Sequence, residues 1–335
     1  MAIQSNDSIP LTSRDILTVA IEGGLMLIIS SVAIMGNLLI CFVTFTNPRF
    51  HTVSNVFVVS LAICYIFAAF LVLPTTAGTL LAGRWPFGQV LCDIQGFTFS
   101  NFIWVSLLTL TSMAASRYFK VTHMAFYNKV FNLDRSIGMI MILWVLTAAL
   151  LVAQITFGRA VFRFSAEKLI CYMSSSKENN QHENITNSVI TMVLYTILLI
   201  VSVIAWHATR RQGSYSHSSP QLERTNTKTE IEFKILLEER RTNQVLLAMI
   251  VEVLLLWLAA IIIKLLELST QSSSFPRQVH LATTFLWCFV PALHPFTYGI
   301  LSKAFARRAI RIFHRLPRSS IRRNKVHAEQ AEESV

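Results

Sequence analysis

Arg117 closes an apolar run that begins just after Asp93, in the stretch Ser112-Met113-Ala114-Ala115-Ser116-Arg117-Tyr118-Phe119-Lys120, and no acid stands beside it. A guanidinium at the end of such a run must be paired or wet, so the chemistry it offers is ion pairing. Helical geometry says where a partner can lie. A spacing of 18 residues is five whole turns, about 27 Å, so Phe99 and Arg117 share one face of a helix, one at each end. Glu239 and Trp257 are also 18 residues apart. On one helix Trp257 lies deep, while Glu239 sits at the level of Arg117 and either reaches across to it or stays solvated beside Arg240 and Arg241. Glu22, Glu252, Lys264 and His294 are further ionisable residues in apolar surroundings. Glu252 is about 140° from Trp257 by helical rotation and faces a neighbouring helix. None of these groups makes a pair of catalytic carboxylates, a metal-spaced histidine set or a nucleophile motif. The reading is therefore not an enzyme, with no metal site and no cofactor.

These side chains need apolar helices to hold them, and the composition supplies helices. Of 335 residues, 53% are hydrophobic and only 14% charged, where a soluble domain carries roughly a quarter charged. Mean hydropathy is +0.52. Seven stretches nearly free of charge follow one another: Gly23–Pro48, Thr52–Gly83, Ile94–Ser116, Ser136–Gly158, Asn184–Thr209, Thr242–Ile263 and Gln278–Ser302. Each supplies the roughly 20 residues that cross a bilayer as a helix. The expected fold class is an all-α membrane protein, a seven-transmembrane helix bundle with a C-terminal amphipathic surface helix. The expected organisation is an extracellular N-terminus over 1–18, the bundle over 19–302 with a cytoplasmic loop at 210–241, the surface helix at 303–316 and a cytoplasmic tail at 317–335. In that surface helix Phe305, Ala309, Ile312 and Phe313 recur at helical spacing between Arg307, Arg308, Arg311 and Arg315, the pattern of a helix lying on a membrane.

Basic residues set the orientation. With the N-terminus outside, 21 lysines and arginines fall on the inner side and 8 on the outer. The net charge of +11 then reads as attraction to the inner leaflet of the lipid bilayer and not as nucleic-acid binding. Met1–Asp15 lacks the basic start and apolar core of a cleavable signal peptide, so the first span is expected to act as its own anchor. The sequons at Asn6 and Asn184 fall on the outer side, as glycosylation requires. Cys41, Cys64 and Cys288 lie within spans, whereas Cys92 and Cys171 both fall outside. A disulfide persists in that compartment and here ties the outer end of the third helix to the loop before the fifth.

The motifs, in their order along the chain, resemble those of the rhodopsin-like (class A) G-protein-coupled receptors. Gly36-Asn37 matches that family's first-span pair, and Asn55 with Ser60-Leu61-Ala62 matches its second span. Trp85-Pro86-Phe87-Gly88 followed by Cys92 is similar to its first outer loop, and Trp144 is the single tryptophan of the fourth span. Pro295-Phe296-Thr297-Tyr298 matches the last four positions of Asn-Pro-x-x-Tyr.

The resemblance implies a plasma-membrane receptor that binds an extracellular ligand and activates a heterotrimeric G protein. It makes Arg117 the arginine of Asp-Arg-Tyr, paired at rest with an acid at the position of Glu239, and Trp257 the tryptophan beneath the ligand pocket. That pocket is expected to involve Phe99, Ser100, Ile103, Trp104, Trp257, Ile261, Lys264, Thr284, Trp287 and Cys288, with His280 near its mouth. Departures fall where the family switches, among them a missing proline after Trp257, where Leu258-Ala259 stand, and three side-chain changes. Ser116 replaces the acid before the arginine, Tyr65 stands where an aspartate holds sodium, and His294 replaces the asparagine of the seventh span. Without a carboxylate a hard cation lacks its main ligand, so Tyr65 and His294 are expected to form a neutral hydrogen-bonded substitute. With Arg117, Glu239 and Tyr298 they make up the expected switch. The lost restraints point to high basal signalling. Two other readings stay open: a non-signalling decoy, since several motifs are altered, and a transporter, which the lack of evident repeats disfavours.

Overall fold

The computed structural model describes residues 15–175, 244–253 and 276–312, with scattered positions at 189–208 and 258–266. Helix α1, Ile16–Thr46, stops where Pro48 pushes Asn47 into an extended conformation (φ −130°, ψ 109°). The Asn47 side chain then caps the short 3₁₀ turn Pro48–Phe50, and Thr52 Oγ1 caps α2 by accepting from the Asn55 amide at 3.4 Å. Helix α2, Val53–Ala82, carries a π-turn over Ala68–Val72 immediately before Pro74. Proline has no N–H to give the preceding turn, and the wider turn absorbs that gap. The helix ends at Gly83, in the left-handed conformation (φ 68°) that glycine adopts most cheaply.

Helix α3, Gly88–Thr122, is followed by the short α4, Met124–Val130, and by α5, Leu133–Thr156, which the Asn132 side chain caps. Two antiparallel strands come next, β1 (Ala160–Ser165) and β2 (Ile170–Ser175). Helices α6, Gln244–Val253, and α7, Arg277–Leu301, precede α8, which covers 303–312. Residues 313–316 of the expected surface helix lie outside the described residues.

Among the described residues five helices, α1, α2, α3, α5 and α7, are long and apolar enough to cross a membrane, and α6 is a shorter apolar helix. The described positions at 189–208 and 258–266 are also helical, in the stretches expected to be the fifth and sixth spans. Helix α1 packs on α2 and α7, while α3 lies against α2, α5 and both strands. The core is built from α2 and α3, with Phe57, Leu61, Tyr65, Leu107, Leu110 and Met113 all sealed from solvent. Helix α5 is peripheral: of its 24 residues only Ser136, Ile140, Thr147 and Leu151 are buried. Ile28, Met35, Ile142 and Val145 point outward, as a lipid-facing surface requires. The β-hairpin is an element that the hydropathy pattern did not predict.

Candidate functional site

At the outer end, a disulfide joins Cys92 of α3 to Cys171 of β2, with Cα atoms 5.3 Å apart, the pairing expected from the sequence. Gln95 fastens the same place. Its Oε1 accepts from the Cys171 amide at 2.7 Å, and its Nε2 donates to Thr75 Oγ1 of α2 at 2.7 Å. Gly96 lets β1 approach, because a Cβ there would overlap the Phe162 ring. The tip of the hairpin turns inward: Leu169 has φ 59° and is fully buried. Thr284 Oγ1 of α7 donates to the Lys168 carbonyl at 2.8 Å, and His280 Nε2 lies 3.8 Å from Glu167. The hairpin therefore spans from α3 to α7.

Beneath it, Phe99 of α3 packs against Trp287 of α7 with ring centroids 5.3 Å apart and ring planes inclined at 36°. Ring contacts continue inward from Phe99 to Phe102 (6.2 Å), from Phe102 to Tyr65 (5.7 Å) and from Tyr65 to His294 (4.8 Å). Of the other expected pocket residues, Ser100 and Cys288 are buried, while Ile103 and Trp104 pack partly buried against the core. Trp257, Ile261, Lys264 and Glu239 lie outside the described residues, as do Asn6 and Asn184.

The centre of the bundle is knitted by polar bonds that converge on α7. A helical carbonyl ordinarily accepts from the amide four residues on, but for Pro291 that residue is Pro295, which has no N–H. Asn37 of α1 supplies the missing donor: its Nδ2 reaches the Pro291 carbonyl at 2.8 Å. Gly36 makes room, since a Cβ there would overlap the Pro295 ring. Glu252 of α6 faces α7, where Thr297 Oγ1 donates to it at 2.8 Å. The Trp144 indole of α5 donates to Ser60 of α2 at 3.0 Å. Tyr65 and His294 meet edge to face, with 74° between ring planes.

At the inner end, Arg117 is buried and its guanidinium donates to Ser54 Oγ of α2. Ser116 is buried as well, and its hydroxyl donates to the Met113 carbonyl of its own helix at 2.7 Å. The Tyr298 hydroxyl donates to Asn55 Oδ1 at 2.9 Å, and its ring packs on Phe305 of α8. A cavity of about 1050 Å³ opens here, bounded by Met113 and Arg117 of α3, Val245 of α6 and Tyr298 of α7.

Sequence reasoning missed Ser54, Gln95 and Leu169. Gln95 carried a usable signal, being an amide inside an otherwise apolar span. Ser54 and Leu169 carried none.

A bundle of apolar helices with an outer disulfide, an α7 interrupted by proline and a buried arginine over an inner cavity is the architecture of a multi-pass membrane protein. The model of the 7 transmembrane receptor (rhodopsin family) matches residues 36–298, and the chain belongs to that family. Its relatives include melatonin receptor type 1A of Gallus gallus, 29% identical over 38% of this chain and 36% of the relative. Melatonin receptor type 1B-B of Danio rerio is 26% identical over 41% and 39%. The RYamide receptor of Tribolium castaneum is 24% identical over 53% of this chain and 51% of the relative. The aligned stretches thus span between about a third and a half of the relatives' length.

Proposed function

We propose that this protein is a plasma-membrane receptor, N-terminus outside, that binds an extracellular ligand beneath the hairpin and activates a heterotrimeric G protein at the inner cavity. The observation that carries this reading is the cavity itself. Its walls come from α3, α6 and α7, so a partner seated there touches all three helices at once and can respond to their relative movement. The ligand site takes an apolar, ring-bearing molecule, because Phe99 and Trp287 pack their rings together beside few polar groups. Asn6 and Asn184 are the glycosylation sites of the outer face, and Glu239 the long-range partner of Arg117.

Basal activity is high in this reading. Ser116 turns its hydroxyl onto its own helix and offers Arg117 no local charge, and Tyr65 with His294 fills the place where an ion would brace the resting bundle. A panel of G-protein activation sensors, read without ligand and with Arg117→Ala, tests the proposal. Activation above an empty-vector control that Arg117→Ala abolishes is the expected result. Uptake of a ligand without activation of any sensor would establish the decoy reading instead, which the joint alteration of the Asp-Arg-Tyr, proline and Asn-Pro motifs favours.

A further inference from the structure

Leu169, at the tip of the hairpin, is the only residue other than glycine that takes a left-handed backbone among the described residues (φ 59°). A bulky side chain rarely adopts that conformation, and it persists where surrounding contacts impose it. The Leu169 amide closes the turn on the Ser165 carbonyl at 2.8 Å. Leu169 is fully buried and Ile170 nearly so, and both belong to the same apolar core as Phe99 of α3 and Leu281 and Cys288 of α7. The Lys168 side chain folds back over β2, its Nζ 4.5 Å from the Tyr172 ring centroid, while its carbonyl accepts from Thr284 at 2.8 Å. Glu167 lies 3.8 Å from His280. Phe99, His280, Thr284 and Cys288 are all residues that the sequence assigned to the ligand pocket. The tip thus engages the polar groups of α7 that an external ligand would use, and it adds a leucine to the apolar wall.

We propose that Glu167, Lys168 and Leu169 are a built-in ligand: the chain fills its own outer site and, by bridging α3 to α7, holds the bundle in a signalling conformation without any added molecule. Given the receptor reading above, the occupant of its ligand site is then part of the chain. Leu169 stands two residues before Cys171, which the disulfide fixes to Cys92 of α3 and whose amide Gln95 holds at 2.7 Å. A segment tied so closely is present at an effective concentration of about 1 mM or more, with much of its ordering entropy already lost. A ligand shifts a conformational equilibrium only through contacts that differ between the two states. The tip has such contacts, because its tether is on α3 while Thr284 and His280 lie on α7, so relative movement of the two helices makes or breaks its bonds. The left-handed turn at Leu169 serves the same end, being strain that the seated arrangement holds and that departure of the tip releases.

The test uses the full-length chain at the cell surface with Cys41 and Cys64 replaced by alanine, which leaves Cys288 as its one free thiol. The natural tip and its variants are compared in that background. Leu169→Asp keeps a residue type that tolerates the left-handed backbone but puts a carboxylate where burial is costly, so the tip should leave the site. Two quantities are measured at equal surface expression: ligand-free activation of G-protein sensors, and the rate at which an impermeant thiol reagent added outside modifies Cys288. A fall in activation on the order of tenfold, within the range of allosteric couplings, is expected together with a rise of similar size in labelling. Leu169→Met conserves volume and should recover most of the natural signal. Thr284→Val removes the bond to Lys168 and should lower the signal about fivefold. Unchanged or raised activation in Leu169→Asp while Cys288 opens overturns the proposal, because the tip is then only a cover or an inhibitor. Unchanged labelling overturns it as well, since the tip then does not fill the site. Silence of every variant and of the natural tip at every sensor refutes the G-protein reading instead, and Cys288 labelling alone then decides whether the tip is the occupant. If Leu169→Asp fails to reach the surface, Leu169→Ala and Thr284→Val supply the same comparison.

Discussion

Replacing Asn37 by alanine isolates the bond that ties α1 to α7. Asn37 is fully buried, and its Nδ2 donates to the carbonyls of Pro291 at 2.8 Å and Ala33 at 2.7 Å. The Ala33 carbonyl already has its own helical partner, so the Pro291 carbonyl is the one orphaned by the substitution. A buried polar group left without a partner costs about 1–3 kcal/mol. Two effects pull the figure down. The Asn37 Oδ1 has no partner among the described residues, so its removal relieves a similar burden. Hydrogen bonds between membrane helices also average only about 0.6 kcal/mol and reach about 1.7. The net loss should be about 1 kcal/mol, a fall of roughly 2–4 °C in unfolding temperature on the scale of medium-sized domains. Cys41, Cys64 and Cys288 are free and buried, so a dye that fluoresces on reacting with thiols reports unfolding without any added label. The decisive arm is Pro295→Ala, which restores an N–H to the Pro291 carbonyl. In that background Asn37→Ala should cost almost nothing, giving a coupling of about 1 kcal/mol in the double-mutant cycle. The same loss in both backgrounds would refute the idea that Asn37 substitutes for the missing proline donor.

Three further outcomes follow from the geometry. Ser116→Asp restores a charge beside Arg117 and should lower ligand-free reporter signal on the order of fivefold; an unchanged signal at equal surface expression would show that the missing acid is not what frees the switch. Gly96→Ala drives a Cβ into the Phe162 ring, whereas a Cβ at Gly24 meets nothing within 4 Å. The first should cost about 1–3 kcal/mol in the thiol-dye assay and the second should be neutral or slightly stabilising, so equal effects would discount the close approach of β1 to α3. Thr284→Val removes the bond to the Lys168 carbonyl, and a loss near 1 kcal/mol should speed hydrogen exchange of the 166–169 turn about fivefold while leaving the Cys171 amide protected. Uniform exchange along the hairpin would mean that its tip and base open together.

The helical bundle was legible because a bilayer imposes a length and an apolar composition on anything that crosses it, and residues from Gly23 to Ser302 carry that imprint seven times. The cysteine pair was legible because compartment alone separates Cys92 and Cys171 from the other three. The reasons behind the motifs were less accessible. Gly36-Asn37 reads as a signature, yet its meaning lies in a carbonyl 254 positions away, which only the packing of α1 on α7 brings near. Tyr65 and His294 were expected to hydrogen-bond, and what the packing shows is that their rings meet edge to face, a geometry that side-chain inventory does not reveal. The hairpin left no trace because Ala160–Ser165 and Ile170–Ser175 are too short, and too mixed in polarity, to stand out from a loop.

Helix α7 is where the separate findings meet. At its outer end Thr284 holds the hairpin tip and Trp287 packs against Phe99; at its middle Asn37 and Tyr65 meet Pro291 and His294; at its inner end Glu252 and Asn55 meet Thr297 and Tyr298. Every one of these contacts except the first is made to another helix. The two prolines within α7 remove amides from its ladder, so part of what holds the helix straight has been transferred to side chains on its neighbours. A helix with one internal bond replaced by a bond to α1, and with side chains held by α2 and α6, bends when those neighbours shift, and the reverse holds as well. Under the proposed function, α7 is then the element that would carry an event beneath the hairpin to the cavity around Arg117. The Asn37 and Pro295 cycle accordingly probes more than stability, since Pro295→Ala should stiffen the same helix and reduce ligand-free signalling as it restores the missing bond.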